Sequence, residues 1–121
     1  MLGILSENYV ADNEYAAGTV VVFGGTAEIT VTNQFADTRV AGVIAEDLST
    51  VLKGRVMCNV IGPVAKGDLL ATSDVEGYAK SLNQYQDWVV TFNIDSGNSV
   101  FAKSLEDNDN AGPITVEVAV V

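Results

Sequence analysis

Apolar residues in this chain alternate with polar ones or form short runs rich in Val, Ile and Thr, and Gly, Asn and Asp bound these runs. No long window follows the helical period of 3.6 residues, whereas period-two runs recur from one end to the other. The pattern therefore predicts an all-β fold, a compact small barrel or sandwich of about eight to ten short strands with hairpins.

The clearest local unit is a hairpin in which Gly24 and Gly25 separate the strand-like residues 19–23 and 26–32. Two glycines between two such runs are typical of a two-residue primed turn, which pairs Phe23 with Thr26. Because directly opposite residues share a face, this register predicts one apolar face and one half-exposed face. The apolar face carries Val20, Val22, Ala27, Ile29 and Val31, and the other carries Thr19, Val21, Glu28 and Thr30.

Further strands are predicted at residues 39–46, 53–61, 68–71, 78–82, 88–94, 100–105 and 114–121. In the 53–61 strand, Val56, Cys58 and Val60 alternate with polar or larger residues, which places the thiol among valines. Cys58 is therefore interpreted as a small buried hydrophobe rather than a reactive nucleophile. Residues 82–88 have the least strand character and are predicted to form an exposed excursion.

Length and charge narrow the class of protein. A chain of 121 residues suits one domain, so residues 1–121 are predicted to form a single all-β domain. The net charge of −10 predicts a surface that repels nucleic acid and anionic lipid. No signal peptide or membrane span is recognised, because no apolar run approaches the roughly 20 residues that a span needs.

The chain has few residues that could act as nucleophiles or bind zinc. Histidine is absent and Cys58 is the single cysteine, which excludes a Ser-His-Asp or Cys-His nucleophile, a disulfide framework and a cysteine-based zinc site. Neither a nucleophile elbow, a P-loop nor a dinucleotide fingerprint occurs. Ser81 and the Ser104–Glu106 triplet are too short as motifs to indicate a serine nucleophile. We therefore expect a protein that is not an enzyme and has no cofactor.

One acidic turn resembles a calcium loop. Residues 107–112 supply oxygen donors and a glycine, but Ala111 stands at the fifth position and Val118 at the twelfth, where oxygen ligands are needed. A looser cation site formed by Glu106, Asp107 and Asp109 stays open as an alternative to a solvated turn. The carboxylate pairs Glu46-Asp47 and Asp74/Glu76 are not expected to cleave a glycosidic bond, because neighbouring strand residues point to opposite faces and carboxylates in turns are usually solvated.

A mixture of aromatic and polar residues follows residue 82. Tyr85, Asp87 and Trp88 combine ring faces with hydrogen-bonding groups, as sugar-binding sites do. Residues from Tyr85 to Asp95 are therefore a candidate region for glycan binding. The alternative interpretation is ordinary packing in strands and loops.

Long stretches of the chain resemble a structural module of bacteriophage tail fibres and other virion proteins. The resemblance covers nearly the whole chain and rests mainly on structural glycines and turn residues. The stretches are residues 7–25, 40–44, 53–73, 76–79 and 102–106, in the order found in that module, followed by a final strand at 114–121. Two departures are Ala102, where a glycine is expected, and the more polar region 85–98.

The resemblance implies a setting and a mode of action. Domains of that family lie near the carboxyl end of fibre or appendage chains and tend to form trimers. It therefore implies a homotrimer in a virion, made in the host cytoplasm, with copies of itself and other virion proteins as partners.

Apolar segments near both ends of the chain are the predicted assembly surface. An acidic domain with apolar terminal segments suits a subunit that binds copies of itself. The predicted residues are Leu2, Ile4, Leu5, Val118, Val120 and Val121. Recognition of a host glycan or surface protein through residues 85–95 is the alternative function. An autoproteolytic or glycan-cleaving enzyme is a third and weaker one.

Overall fold

The computed structural model describes residues 4–85 and 99–121, with the backbone alone at Tyr85. This part of the chain is all-β, as predicted, and contains nine strands and a short 3-10 turn at Asn83–Tyr85. The strands are β1 (Leu5–Glu7), β2 (Val20–Phe23), β3 (Ile29–Thr30), β4 (Val40–Ile44), β5 (Thr50–Ile61), β6 (Leu69–Thr72), β7 (Ala79–Ser81), β8 (Ala102–Ser104) and β9 (Pro113–Val120). Among the described residues, no helix has the length and apolar character needed to cross a membrane.

The second half of β5 and the strands after it close into a small barrel. Its strand order is β5, β7, β6, β8 and β9, and β9 pairs with β5 to complete the ring. The pair β5–β7 is parallel, with Val60 opposite Ala79, and the other contacts are antiparallel. Each of these five strands is therefore paired on both sides, as in a closed sheet.

The first half of β5 belongs to a second sheet beside the barrel. There β5 pairs with β1 on one edge and β4 on the other, and β2 and β3 continue the sheet beyond β4. The change of partners occurs at Gly54, whose φ of 121° suits glycine and few other residues. One long strand therefore joins the barrel to this side sheet.

The barrel interior is filled by the inward residues of alternating strands. In β9 the residues Ile114, Val116, Val118 and Val120 are buried, whereas those between them are half-buried or exposed. In β5, Cys58 and Val60 are buried between more exposed neighbours, as the sequence predicted. The side sheet has a second apolar cluster, formed by Val21, Ile29 and Ile44.

The predicted two-residue hairpin is wrong. In the structure Phe23 pairs with Ile29 rather than Thr26, so five residues, 24–28, connect β2 to β3. The backbone carbonyl of Val10 accepts hydrogen bonds from the amides of Glu28 and Ile29, which holds β3 in this register. The shift is odd, so Ile29 packs with Val21 instead of Val20.

Because of this change of register, the predicted assignment of one buried and one half-exposed face to β2 is also wrong. Val20 packs in the barrel core and Val21 in the side-sheet cluster, so both faces of the strand are buried and Val21 is not half exposed. The other predicted strands within the described residues are present, with ends that differ from the prediction; β5 begins at Thr50, three residues before the predicted start at residue 53. The predicted strand at 88–94 lies outside the described residues, as do residues 86–88 of the predicted excursion at 82–88. Asn83–Tyr85 of that excursion form the 3-10 turn.

Candidate functional site

The structure divides the predicted assembly residues into two groups. Ile4 and Leu5 are each 56% exposed and Val121 is 65% exposed, so these three side chains are available on the surface. Val118 and Val120 are buried in the barrel core, and the prediction is wrong for them because alternate residues of β9 point inward. Leu2 lies outside the described residues.

The three exposed residues come from chain ends that meet on β5. Leu5 lies opposite Lys53, and Val120 lies opposite the next residue, Gly54. The first described strand and the last one therefore follow each other along one edge of β5. We call Ile4, Leu5 and Val121 the terminal cluster.

The predicted glycan-binding residues are not tested by the geometry. Asp87 and Trp88 lie outside the described residues, and Tyr85 contributes its backbone to the 3-10 turn. The turn itself is anchored, because the Asn83 side-chain oxygen accepts a hydrogen bond of 2.8 Å from the Leu69 amide.

A groove of about 590 Å³ opens on the side sheet, next to the apolar cluster of Val21, Ile29 and Ile44. Its walls come from three separate parts of the chain: residues 9–16, β3, and the end of β4 with the turn that follows it. The lining residues are Tyr9, Ala11, Asn13, Glu14, Tyr15, Ala16, Ile29, Ile44 and Leu48. The volume falls in the range typical of sites that hold a small molecule or a few side chains.

Two side chains of the groove are held in fixed positions. The Tyr9 ring packs edge-on against Phe23, with ring centroids 5.2 Å apart. The Tyr15 hydroxyl donates a hydrogen bond to the Asp12 carboxylate, which lowers the pKa of Asp12. Burial, followed by that hydrogen bond, raises the pKa of Tyr15. The aromatic walls are thus largely preformed.

Leu48 projects at the mouth of the groove. It is 65% exposed. Leu48 and Val121 share the largest exposed fraction among the large apolar side chains of the described residues. Its φ of 69° lies in the left-handed region that non-glycine residues rarely adopt. The turn is fixed by Asp47, whose carboxylate accepts hydrogen bonds from the amide and hydroxyl of Ser49.

A buried carboxylate, Asp37, organises the segment between β3 and β4. It accepts hydrogen bonds from the Thr32 hydroxyl at 2.8 Å and from the Arg39 guanidinium at 2.7 and 3.0 Å. Its own amide donates to the Thr72 hydroxyl at 2.7 Å, which ties the segment to β6. The Arg39 hydrogen bonds lower the pKa of Asp37 to about 2.

The serines considered as nucleophiles are structural. The Ser81 hydroxyl is buried and donates a 2.7 Å hydrogen bond to Asp68, which also accepts from the Ala65 amide and the Gln84 side chain. The Ser104 hydroxyl is buried and donates to the Glu106 carbonyl. Both hydroxyls are shielded from an external substrate.

The acidic turn after β8 uses its carboxylates to bind backbone. The Asp107 carboxylate accepts a 2.7 Å hydrogen bond from the Lys66 amide, and Glu106 accepts one of 2.6 Å from the Glu117 amide. Within residues 4–85 and 99–121, no group of three or more His, Cys, Asp or Glu side chains is arranged to hold a metal ion.

Cys58 is fully buried in the barrel core, and burial raises the pKa of its thiol. We expect the thiol to react with a disulfide reagent at least about 100-fold more slowly in the folded protein than in denaturant, because reaction requires opening of the core. Labelling followed by mass spectrometry measures both rates. Rapid labelling under native conditions would show that the core around Cys58 is open.

The groove was not foreseen from the sequence. Tyr9, Tyr15 and Leu48 are separated by up to about forty positions, and strand pairing in the side sheet brings them together. One signal was present: no Lys or Arg occurs before Arg39, although Asp and Glu do. That asymmetry marks the groove segments as one acidic region.

Comparison of the chain with protein-family models, curated proteins and solved structures found no match.

Proposed function

We propose that this chain is a non-enzymatic structural module of a phage-like virion, in a tail fibre or another appendage, and that it acts by associating with copies of itself. The observation that carries the proposal is the terminal cluster of Ile4, Leu5 and Val121. Single exposed apolar residues are common on protein surfaces, but adjacent ones mark interaction surfaces. Here Leu5 lies opposite Lys53, and Val121 follows Val120, which lies opposite Gly54, so two of the three exposed side chains come from neighbouring positions along β5.

The strand beside the terminal cluster supports the same interpretation. All three residues of β1 are exposed, and among the described strands β1 pairs with β5 alone. Its other edge presents backbone donors and acceptors that a second chain can pair with. A short, exposed edge strand next to an apolar cluster suits an interface between subunits.

The virion setting and the trimeric state are supported by the resemblance of residues 7–25, 40–44, 53–73, 76–79 and 102–106 to tail-fibre modules. The acidic surface favours a protein partner over nucleic acid. Other virion proteins are accordingly the proposed neighbours of the assembled module.

Replacing Leu5 and Val121 together by Ser is expected to weaken self-association at least roughly tenfold, because two exposed apolar side chains lose their buried contacts with the next copy. The fold should stay intact, with unfolding free energy within about 0.5 kcal/mol of wild type. Sedimentation velocity measures association, and thermal unfolding measures the fold.

Val75→Ser is the matched control, since Val75 is 42% exposed but lies in the turn between β6 and β7. It should leave association unchanged. If the control weakens association as much as the double variant does, or if the double variant associates normally, the terminal cluster is not the assembly surface.

A further inference from the structure

Half of the basic residues of the chain lie on one outer face formed by β5 and β8. The sequence has six Lys and Arg, and Lys53, Arg55 and Lys103 are three of them. All three side chains are exposed. Ala119 of β9 pairs with Arg55 of β5 on one side and with Lys103 of β8 on the other. This register places Arg55 and Lys103 on the same face of the sheet.

Apolar side chains share this face. Leu5 lies opposite Lys53, and Met57, 46% exposed, lies two residues beyond Arg55 on the same side of β5. Glu117 lies opposite Met57 at the far end. Lys53 and Arg55 form no ion pair with any residue in the described part of the chain. We call Leu5, Lys53, Arg55, Met57, Lys103 and Val121 the basic face.

The groove on the side sheet has the opposite charge. Glu14 lines it, Asp12 holds the Tyr15 hydroxyl beside it, and Asp47 immediately precedes Leu48 at its mouth. No Lys or Arg occurs among its lining residues or anywhere in residues 1–38. The groove is therefore acidic at its rim and apolar on its walls.

We propose that this acidic groove is the docking site for the basic face of a second copy of the chain, an inference that rests on the proposed self-assembly. Both surfaces combine exposed apolar side chains with charge, and the charges are opposite. Such complementarity orients two copies as they meet, while burial of Leu48 and Met57 supplies affinity.

The docking contact joins two different surfaces of the chain. A groove on one copy meets a different surface on the next, which makes the contact heterologous. Contacts of this type build closed rings when the rotation between copies closes, and open filaments when it does not. A closed ring of three copies would use every groove and every basic face once.

Two variants test the two surfaces separately. The groove variant carries Glu14→Lys and Leu48→Asn, since Asn tolerates the left-handed backbone at position 48. The face variant carries Arg55→Glu and Lys103→Glu. Each variant alone should associate at least tenfold more weakly than wild type, as measured by sedimentation velocity.

The decisive sample is an equimolar mixture of the two variants. Each pair of different variants retains one intact contact, so the mixture should form a heterodimer of about twice the 12.7 kDa chain mass at concentrations where each variant alone is a monomer. Asp109→Lys and Lys66→Glu change the charge of exposed turn residues elsewhere and serve as controls that should associate like wild type. Thermal unfolding of each variant verifies the fold.

These measurements distinguish failure of the docking contact from failure of self-assembly. If wild type associates but the groove variant does so equally well, the inference is overturned and self-assembly through another surface stands. Absence of the heterodimer in the mixture, with both variants folded, also overturns it. If wild type is a monomer at every concentration, self-assembly itself fails and the docking contact fails with it.

Discussion

Replacement of Asp37 by Ala is expected to lower the free energy of unfolding by roughly 2–4 kcal/mol, because hydrogen bonds to a buried charged group are strong and their loss leaves the buried Thr32 hydroxyl without its acceptor. The carboxylate accepts from Thr32 and from three donors of Arg39, counting its backbone amide. With the carboxylate gone, the segment between β3 and β4 loses its side-chain contacts to Thr32 and Arg39, while the hydrogen bond from the amide of residue 37 to Thr72 on β6 remains. Denaturant unfolding measures the change.

The same carboxylate makes stability depend on pH. Its pKa is lowered from 3.8 to about 2 in the folded chain, so its contribution is complete above about pH 4 and is lost as the pH falls through about 2. A shift of this size corresponds to about 2 kcal/mol. Wild type should therefore lose about 2 kcal/mol more than Asp37→Asn over that interval.

Asp74→Ala is the matched control, since Asp74 is an exposed carboxylate in the turn between β6 and β7. It should change stability by less than about 0.5 kcal/mol. Equal effects of the two Ala substitutions, or parallel pH profiles for wild type and Asp37→Asn, would contradict the role assigned to Asp37.

Gly42→Ala is expected to destabilise the fold by about 3 kcal/mol or more, through a clash in the side sheet. A Cβ at Gly42 would lie 2.1 Å from the backbone oxygen of Val51 on the neighbouring strand β5. That atom belongs to the strand that joins the two sheets, so the clash cannot be relieved by a side-chain rotation. Thermal and denaturant unfolding measure the loss.

Gly112→Ala provides the comparison, because its Cβ would come no closer than 3.4 Å to the nearest atom, the Asn110 side-chain oxygen. This variant should be within about 1 kcal/mol of wild type. If Gly42→Ala is as stable as Gly112→Ala, then β4 and β5 do not approach each other as closely as the structure indicates.

Sequence patterns predicted the strands that have one buried face. The alternation at residues 114–117 of β9 and around Cys58 follows directly from period-two burial, so the inward positions Ile114, Val116, Cys58 and Val60 could be assigned from the amino-acid sequence alone. The β2–β3 register could not be assigned in this way. It depends on hydrogen bonds that the Val10 carbonyl accepts from the amides of Glu28 and Ile29, and a local turn rule carries no information about a contact with a residue so much earlier in the chain.

The assembly residues show a second limit of sequence reasoning. A fully apolar strand end looks the same whether it packs against its own barrel or against another copy. Val118 and Val120 proved to be core, whereas Val121 is exposed. The groove illustrates the converse case, because Tyr9, Tyr15 and Leu48 form one surface only after strand pairing brings distant segments together.

The solution mass of the wild-type chain, measured by light scattering over a range of protein and salt concentrations, tests the central claim most directly. The account predicts a stable assembly of about three times the 12.7 kDa chain mass, which weakens as salt screens the contact between the acidic groove and the basic face. A mass of 12.7 kDa at every concentration would contradict self-assembly.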